Sequence, residues 1–124
     1  MSRVLSLAAP LPGFPLASTL TLSPVEGAAG LFALSSPQAP TLHWFALDTA
    51  AHIRHYAPEF SKNQLSLVGN PGDGDLLVLA VVTTSGVRPS ANLFAPLLVN
   101  ASNGQCLQAI LEAQEWPLRY ELPM

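Results

Sequence analysis

Seven apolar residues stand in a row at 76–82, followed by a Ser-Gly-Val-Arg-Pro-Ser break at 85–90 and a second apolar run at 97–99. A short continuous apolar run bounded by turn residues predicts a strand covered on both faces. The return run follows Asn92-Leu93-Phe94-Ala95-Pro96. Pro96 has no N–H to give a ladder, which predicts an edge position, a bulge or a strand start. Residues 75–100 are therefore expected to form one long hairpin at the centre, with the rest of the chain wrapped around it.

The other apolar pieces are short and lie between turn signals, a spacing that favours a β-sandwich or barrel. Strands are predicted over 3–8, 16–22, 31–34 and 41–47, separated by Pro- and Gly-rich turns. Residues 48–56 differ: Asp48 is an N-cap candidate ahead of good helix formers, and Pro58 limits the segment to about two turns of helix. A short strand is predicted over 64–68, then a dense turn, Asn70-Pro71-Gly72-Asp73-Gly74-Asp75. Asn103-Gly104 predicts a tight turn, followed by strands over 105–111 and 118–122. The expected fold class is all-β and mainly antiparallel, a small β-barrel-like or sandwich domain with one short helix.

Composition makes this a single domain over 1–124. With 49% apolar and 10% charged residues, the chain is expected to fold into a compact body. The net charge is −3, and five Lys and Arg residues argue weakly against nucleic acid as a direct partner. The single Cys106 cannot form an intramolecular disulfide, which suits a reducing cytosol. The apolar stretch after Arg3 is broken by Pro10 and Pro12, too short for a signal peptide and far short of the roughly 20 residues that a spanning helix needs. The expectation is a cytoplasmic protein without a membrane contact.

Candidate chemistry is sparse. His52 and His55 would share a helix face, with Glu59 about one turn beyond, but Pro58 interrupts that face, so a solvated surface is preferred over a metal site. Asp73-Gly74-Asp75 resembles part of a calcium loop, yet the later acidic ligands are missing and turn chemistry explains the cluster. Cys106 lies in a predicted strand with no elbow or partner motif and reads as a small buried hydrophobe. His43, beside Trp44, reads as a packing residue. No phosphate loop, dinucleotide fingerprint, zinc-protease motif, nucleophile elbow or paired-cysteine motif occurs in the sequence. Neither an enzyme nor a cofactor is expected.

Several segments in order resemble the bacterial flagellar assembly factor FliW family. Leu11-Pro12-Gly13-Phe14 matches its Leu-Pro-Gly-Phe segment. Leu34, Ser36, Pro40, Leu42, Phe45 and Asp48 follow the spacing of its next motif, with Tyr56 a few residues later. Ala91, Asn92, Leu93, Ala95, Pro96 and Asn100 match the most specific one. Gln108, Leu111, Pro117, Leu118, Arg119 and Leu122 resemble the family's ending. The departures are a short lead of ten residues before Leu11, Thr49 in place of Pro, Trp116 in place of Tyr, and a less acidic chain. The short lead raises the possibility of an unpaired sheet edge.

The resemblance implies a non-enzymatic cytoplasmic regulator that binds flagellin. When free, it binds and antagonises the translational repressor CsrA, thereby controlling flagellin translation. The motif residues Asn92, Leu93, Pro96 and Asn100 are themselves read as mainly structural, with Pro96 shaping an edge or bulge and Asn92 tying a turn through its side chain. The expected partner surface is the helix after the fourth strand (Asp48, Ile53, Tyr56, Glu59, Phe60) with the acidic turn (Asp73, Asp75). An equally weighted reading has Ile53 and Tyr56 docking the helix on the barrel. Two other readings are a β-barrel binding an apolar small ligand in its mouth, and an enzyme using Cys106 with a histidine.

Overall fold

A computed structural model describes residues 2–72, 74–84 and 87–123. Among the described residues the strands are β1 (Arg3–Leu7), β2 (Thr19–Pro24), β3 (Leu31–Ser35), β4 (His43–Asp48), β5 (Leu76–Thr83), β6 (Ser90–Ala91), β7 (Leu97–Asn100), β8 (Gln105–Gln108) and β9 (Tyr120–Glu121). Two short helices, α1 (Thr49–His52) and α2 (Lys62–Leu67), lie between β4 and β5. The hydrogen-bonded order is β4-β3-β2-β1-β8-β7-β5, and β4 pairs with β5 to close a seven-strand barrel. A ring with an odd number of strands cannot alternate direction throughout. Here β1 and β8 run parallel, and the other pairings are antiparallel.

The period-two pattern explains the interior. Leu5, Leu20, Leu22, Leu34, Ala46, Leu79, Leu97, Val99 and Cys106 are buried there, with Leu7, Phe32, Trp44, Leu77 and Val81 packed against them. Each fully buried leucine contributes about 1.5–3 kcal/mol. A barrel of this size is just wide enough to be filled by side chains, and leucines fill it. One end is plugged by Leu11, Ala17, Ala39 and Leu42, with Phe14 and Trp44 in edge-to-face contact at 5.7 Å. Gln38 ties the two plugging loops together: its Oε1 accepts from the backbone N–H groups of Ser18 (3.2 Å) and Thr19 (3.1 Å) and from the Ser36 hydroxyl (3.1 Å).

The other face of β5 carries Leu76, Val78 and Ala80 into two outer clusters. The segment running through α1 and α2, the 91–93 stretch and the chain from Leu107 onward complete them. The predicted two-sided burial of residues 76–82 is thus explained by a barrel core on one side and an added layer on the other. The predicted hairpin is present as β5 paired with β7, and the short β6 extends the pairing of β5 at Val82 and Thr83. Pro96 is buried directly before β7, at a strand start. Asp73, and Ser85-Gly86 of the predicted turns, lie outside the described residues.

Three expectations are corrected. Among the described residues there are two short helices rather than one. The predicted helix over 48–56 ends at His52, because Ile53 already leaves helical geometry at φ −132°. The predicted strand over 64–68 is instead α2. Ser61 caps it by accepting from the Gln64 N–H while the Gln64 side chain bonds back to the Ser61 N–H. At its other end the Gly69 N–H reaches Ser66 O (3.0 Å) and the Asn70 N–H reaches Leu65 O (2.8 Å), with Gly69 at φ +80°. The possible unpaired edge does not arise at β1, which lies between β2 and β8.

Both ends of α2 should therefore be sensitive. Ser61→Ala is expected to lower stability by about 1 kcal/mol. Gly69→Ala should cost more, because the left-handed backbone alone costs about 1–2 kcal/mol and the new Cβ would lie 2.5 Å from Asn103 Nδ2. Urea titration of the two variants checks the order; equal midpoints for wild type and Gly69→Ala would contradict it.

Candidate partner-binding surface

After β4 the chain turns outward into α1. Asp48 caps that helix, its Oδ1 accepting from the Ala50 N–H at 3.1 Å. Thr49 is buried and its hydroxyl donates to Val78 O on β5 at 3.0 Å, fastening the helix to the barrel wall. Ile53 and Tyr56 then turn inward to meet Ala80, Ala91, Leu93 and Leu111. The Tyr56 hydroxyl donates to Leu93 O at 2.6 Å, and its ring meets Trp116 edge-on at 4.7 Å. Burial raises the Tyr56 pKa above its ordinary 10.0 by disfavouring the phenolate.

These side chains border an open cleft of about 850 Å³ between the α1 segment and β5. Asp48, Ile53, Tyr56 and Phe60 all line it, opposite Leu76, Leu77 and Val78. Four of the residues expected at a partner surface are thus brought together. Within that group Ile53 and Tyr56 are buried and hold the wall, whereas Asp48 and Phe60 are partly open to solvent. Glu59 is exposed and lies on a neighbouring groove. Asp75 is half-buried and joins the β7–β8 turn through its backbone, accepting from the Ala101 N–H at 2.7 Å. Asp73 has no described position.

The two histidines do not converge. His52 Nε2 bonds Ala29 O at 2.8 Å, so that nitrogen carries the proton, whereas His55 packs over Tyr120 with ring centroids 5.3 Å apart. Among the described residues no group of three metal-ligating side chains assembles. Cys106 is fully buried in the barrel, and its thiol is pushed up to about 12 by desolvation. That is the opposite of the lowered pKa a nucleophilic cysteine needs. His43 is exposed on the outer face of β4, not packed as expected.

The 91–100 motif is a set of ties. Asn92 Oδ1 accepts from the N–H groups of Phe94 and Ala95, both at 3.0 Å. Asn100 is 1% exposed; its Nδ2 donates to Val68 O at 2.7 Å and its Oδ1 accepts from Ser102 N–H at 3.0 Å. It thereby joins the end of α2 to the β7–β8 turn. Leu93 is buried and presents the carbonyl that Tyr56 uses.

Sequence reasoning missed a second surface. Phe45 points outward between inward-facing Trp44 and Ala46 and is 46% exposed. With Leu31, Leu47, Val82, Pro89 and Leu122 it lines an apolar trough of about 360 Å³. The signal was present: on a strand whose even positions fill the core, an odd-numbered Phe must face out.

The sequence model described as "FliW protein" matches residues 1–122. A flagellar assembly factor FliW from Syntrophus aciditrophicus (strain SB) is 33% identical over 70 residues, covering 55% of this chain and 44% of that protein. One from Heliobacterium modesticaldum (strain ATCC 51547 / Ice1) is 25% identical over 114 residues, covering 90% of this chain and 74% of its own length. A crystal structure of the flagellar assembly factor FliW superposes with a TM-score of 0.85 at 21% identity, over 98% of this chain and 86% of that one, and shows the same fold. The chain belongs to the FliW family.

Two buried acids give this fold a testable alkaline limit. The Cys106 thiol and the Tyr56 phenol both stay protonated when folded, whereas the unfolded chain releases the thiol proton from about 9.0. Stability should be intact below about pH 9 and fall as pH rises toward 12. Cys106→Ala should flatten that fall, and Tyr56→Phe should flatten it further while costing about 1–3 kcal/mol at neutral pH for the orphaned Leu93 carbonyl. Denaturant unfolding across the pH range measures both; parallel profiles for wild type and variants would contradict the assignment.

Proposed function

We propose that this FliW-family chain acts by binding rather than by catalysis, as a cytoplasmic flagellar assembly factor with two protein partners. One partner is flagellin. The other is the translational repressor CsrA, which the free protein binds and antagonises, so that flagellin translation resumes. The observation that carries the reading is the family match over residues 1–122. A barrel filled with leucines, with its clefts on the outside, supports a surface-binding role over a ligand held in the barrel mouth. The buried, protonated Cys106 supports binding over nucleophilic chemistry.

The regulation follows from linkage. Two ligands that exclude each other on one protein set each other's free concentration, so a rise in unsecreted flagellin releases CsrA and its secretion recaptures it. Such a device needs a surface, not a reaction. We assign that surface to the Asp48–Phe60 segment and the neighbouring acidic turn at Asp73 and Asp75. The exposed Glu59 and the partly open Asp48 suit a basic partner, steering its approach and fixing its orientation more than adding affinity.

Titration calorimetry with purified CsrA tests the assignment. Replacing Glu59, Asp73 and Asp75 together by Lys should weaken binding by about tenfold or more, roughly 1.4 kcal/mol, with the melting temperature little changed. Undiminished affinity would remove this surface from the interaction. Absence of both flagellin and CsrA from a pull-down in a lysate containing them would remove the function.

A further inference from the structure

Phe60, which lines the α1–β5 cleft, also lines a groove of about 420 Å³ on the added layer, formed with Ile110 and the chain that follows it. A smaller groove of about 380 Å³ adjoins it and shares Glu59 and Gln114. The apolar part of the larger groove is open to solvent, since Ile110 is 45% exposed. Three of the chain's eight acidic residues, Glu59, Glu112 and Glu115, stand around it, and none of the described lining residues is Lys or Arg.

We propose that this groove is a docking site for a cationic amphipathic polypeptide segment, with an apolar side chain seated on Phe60 and Ile110 and Lys or Arg side chains reaching the three carboxylates. Charge complementarity selects the occupant. Like charges gathered at a concave, partly apolar surface raise the local negative potential, which draws a basic segment and rejects an acidic one. The apolar contact supplies burial that charge alone does not.

The groove is also built in advance. Gln114 clamps its two sides: Nε2 donates to Glu59 O at 2.7 Å, and Oε1 accepts from Glu59 N–H at 2.9 Å. The chain below is pinned by the Leu111 N–H to Phe94 O bond at 2.9 Å. A partner therefore meets a surface whose ordering cost has already been met in folding. The groove shares Glu59 and Phe60 with the surface assigned to CsrA and in that respect rests on that reading; its failure would remove the groove as a docking site and leave the family membership untouched.

The test uses two short synthetic peptides of identical helical apolar pattern, one built from Lys and Leu and the other from Glu and Leu, each fluorescein-labelled. Fluorescence anisotropy with the full chain should show saturable binding of the Lys/Leu peptide, weakened by salt, and none of the Glu/Leu peptide. The combined variant Glu59→Gln, Glu112→Gln, Glu115→Gln should lose about tenfold in affinity, and Ile110→Ser a comparable amount. A control that removes charge elsewhere, Glu26→Gln with Glu121→Gln, should stay within about twofold of wild type. Equal binding of both peptides, an unaffected groove variant, or an equally weakened control would each overturn the proposal. Melting curves matching wild type establish that the variants fold.

Discussion

The whole arrangement depends on β5 being apolar on both of its faces. Leu77, Leu79 and Val81 face the barrel interior, and Leu76, Val78 and Ala80 face the added layer. A barrel strand with a polar outer face would leave α1, α2 and the C-terminal segment nothing to pack on. Short helices of four and six residues are far below the length at which a helix holds itself together in water. They persist because Thr49, Ile53, Tyr56, Leu65 and Val68 find partners on β5 or its neighbours. The surface that is assigned a binding role is thus a consequence of one strand's composition.

The residues that carry the family resemblance are for the most part ties and plugs. Leu11 and Leu42 close one end of the barrel, Asn92 folds the approach to β7, and Asn100 links α2 to the β7–β8 turn. Each solves a problem that follows from closure: loops must return across a filled interior without leaving buried backbone groups unpaired. Asn100 illustrates the constraint. Its fully buried amide spends its donor on Val68 and its acceptor on Ser102, so no apolar residue of the same size could stand there without orphaning partners. Motifs of this kind identify a fold well and its partners poorly.

This explains what was legible in the sequence. Period-two alternation and turn residues located the seven barrel strands within a few residues, and the unbroken run at 76–82 announced burial on two sides. The parallel β1–β8 pairing was not legible, because it arises from closing a ring of seven and has no local signature. The segment at 64–68 was misread because Leu65 and Leu67 alternate with polar residues as a strand would. The overlooked competing signal was local: Ser61 and Gln64 at capping-box spacing, with Gly69 at the helix end. The extent of α1 was overestimated because helix propensity says nothing of where tertiary contacts pull a chain aside, here at Ile53.

The site was legible to a different degree. Asp48, Ile53, Tyr56 and Phe60 do border one cleft, but sequence spacing could not say that Tyr56 would spend its hydroxyl inward on Leu93. Nor could it bring Glu59 onto the same grooves as Glu112 and Glu115, which are more than fifty residues away and are held there in part by the Gln114 clamp. Surface chemistry of this sort is written by the way layers meet, and the outer faces of this molecule differ accordingly. Around Phe45 the trough is apolar, with no charged side chain among its described lining residues, while around Glu59 the groove is acidic. The two surfaces thus differ in the chemistry they offer. A ligand suited to one face is poorly suited to the other.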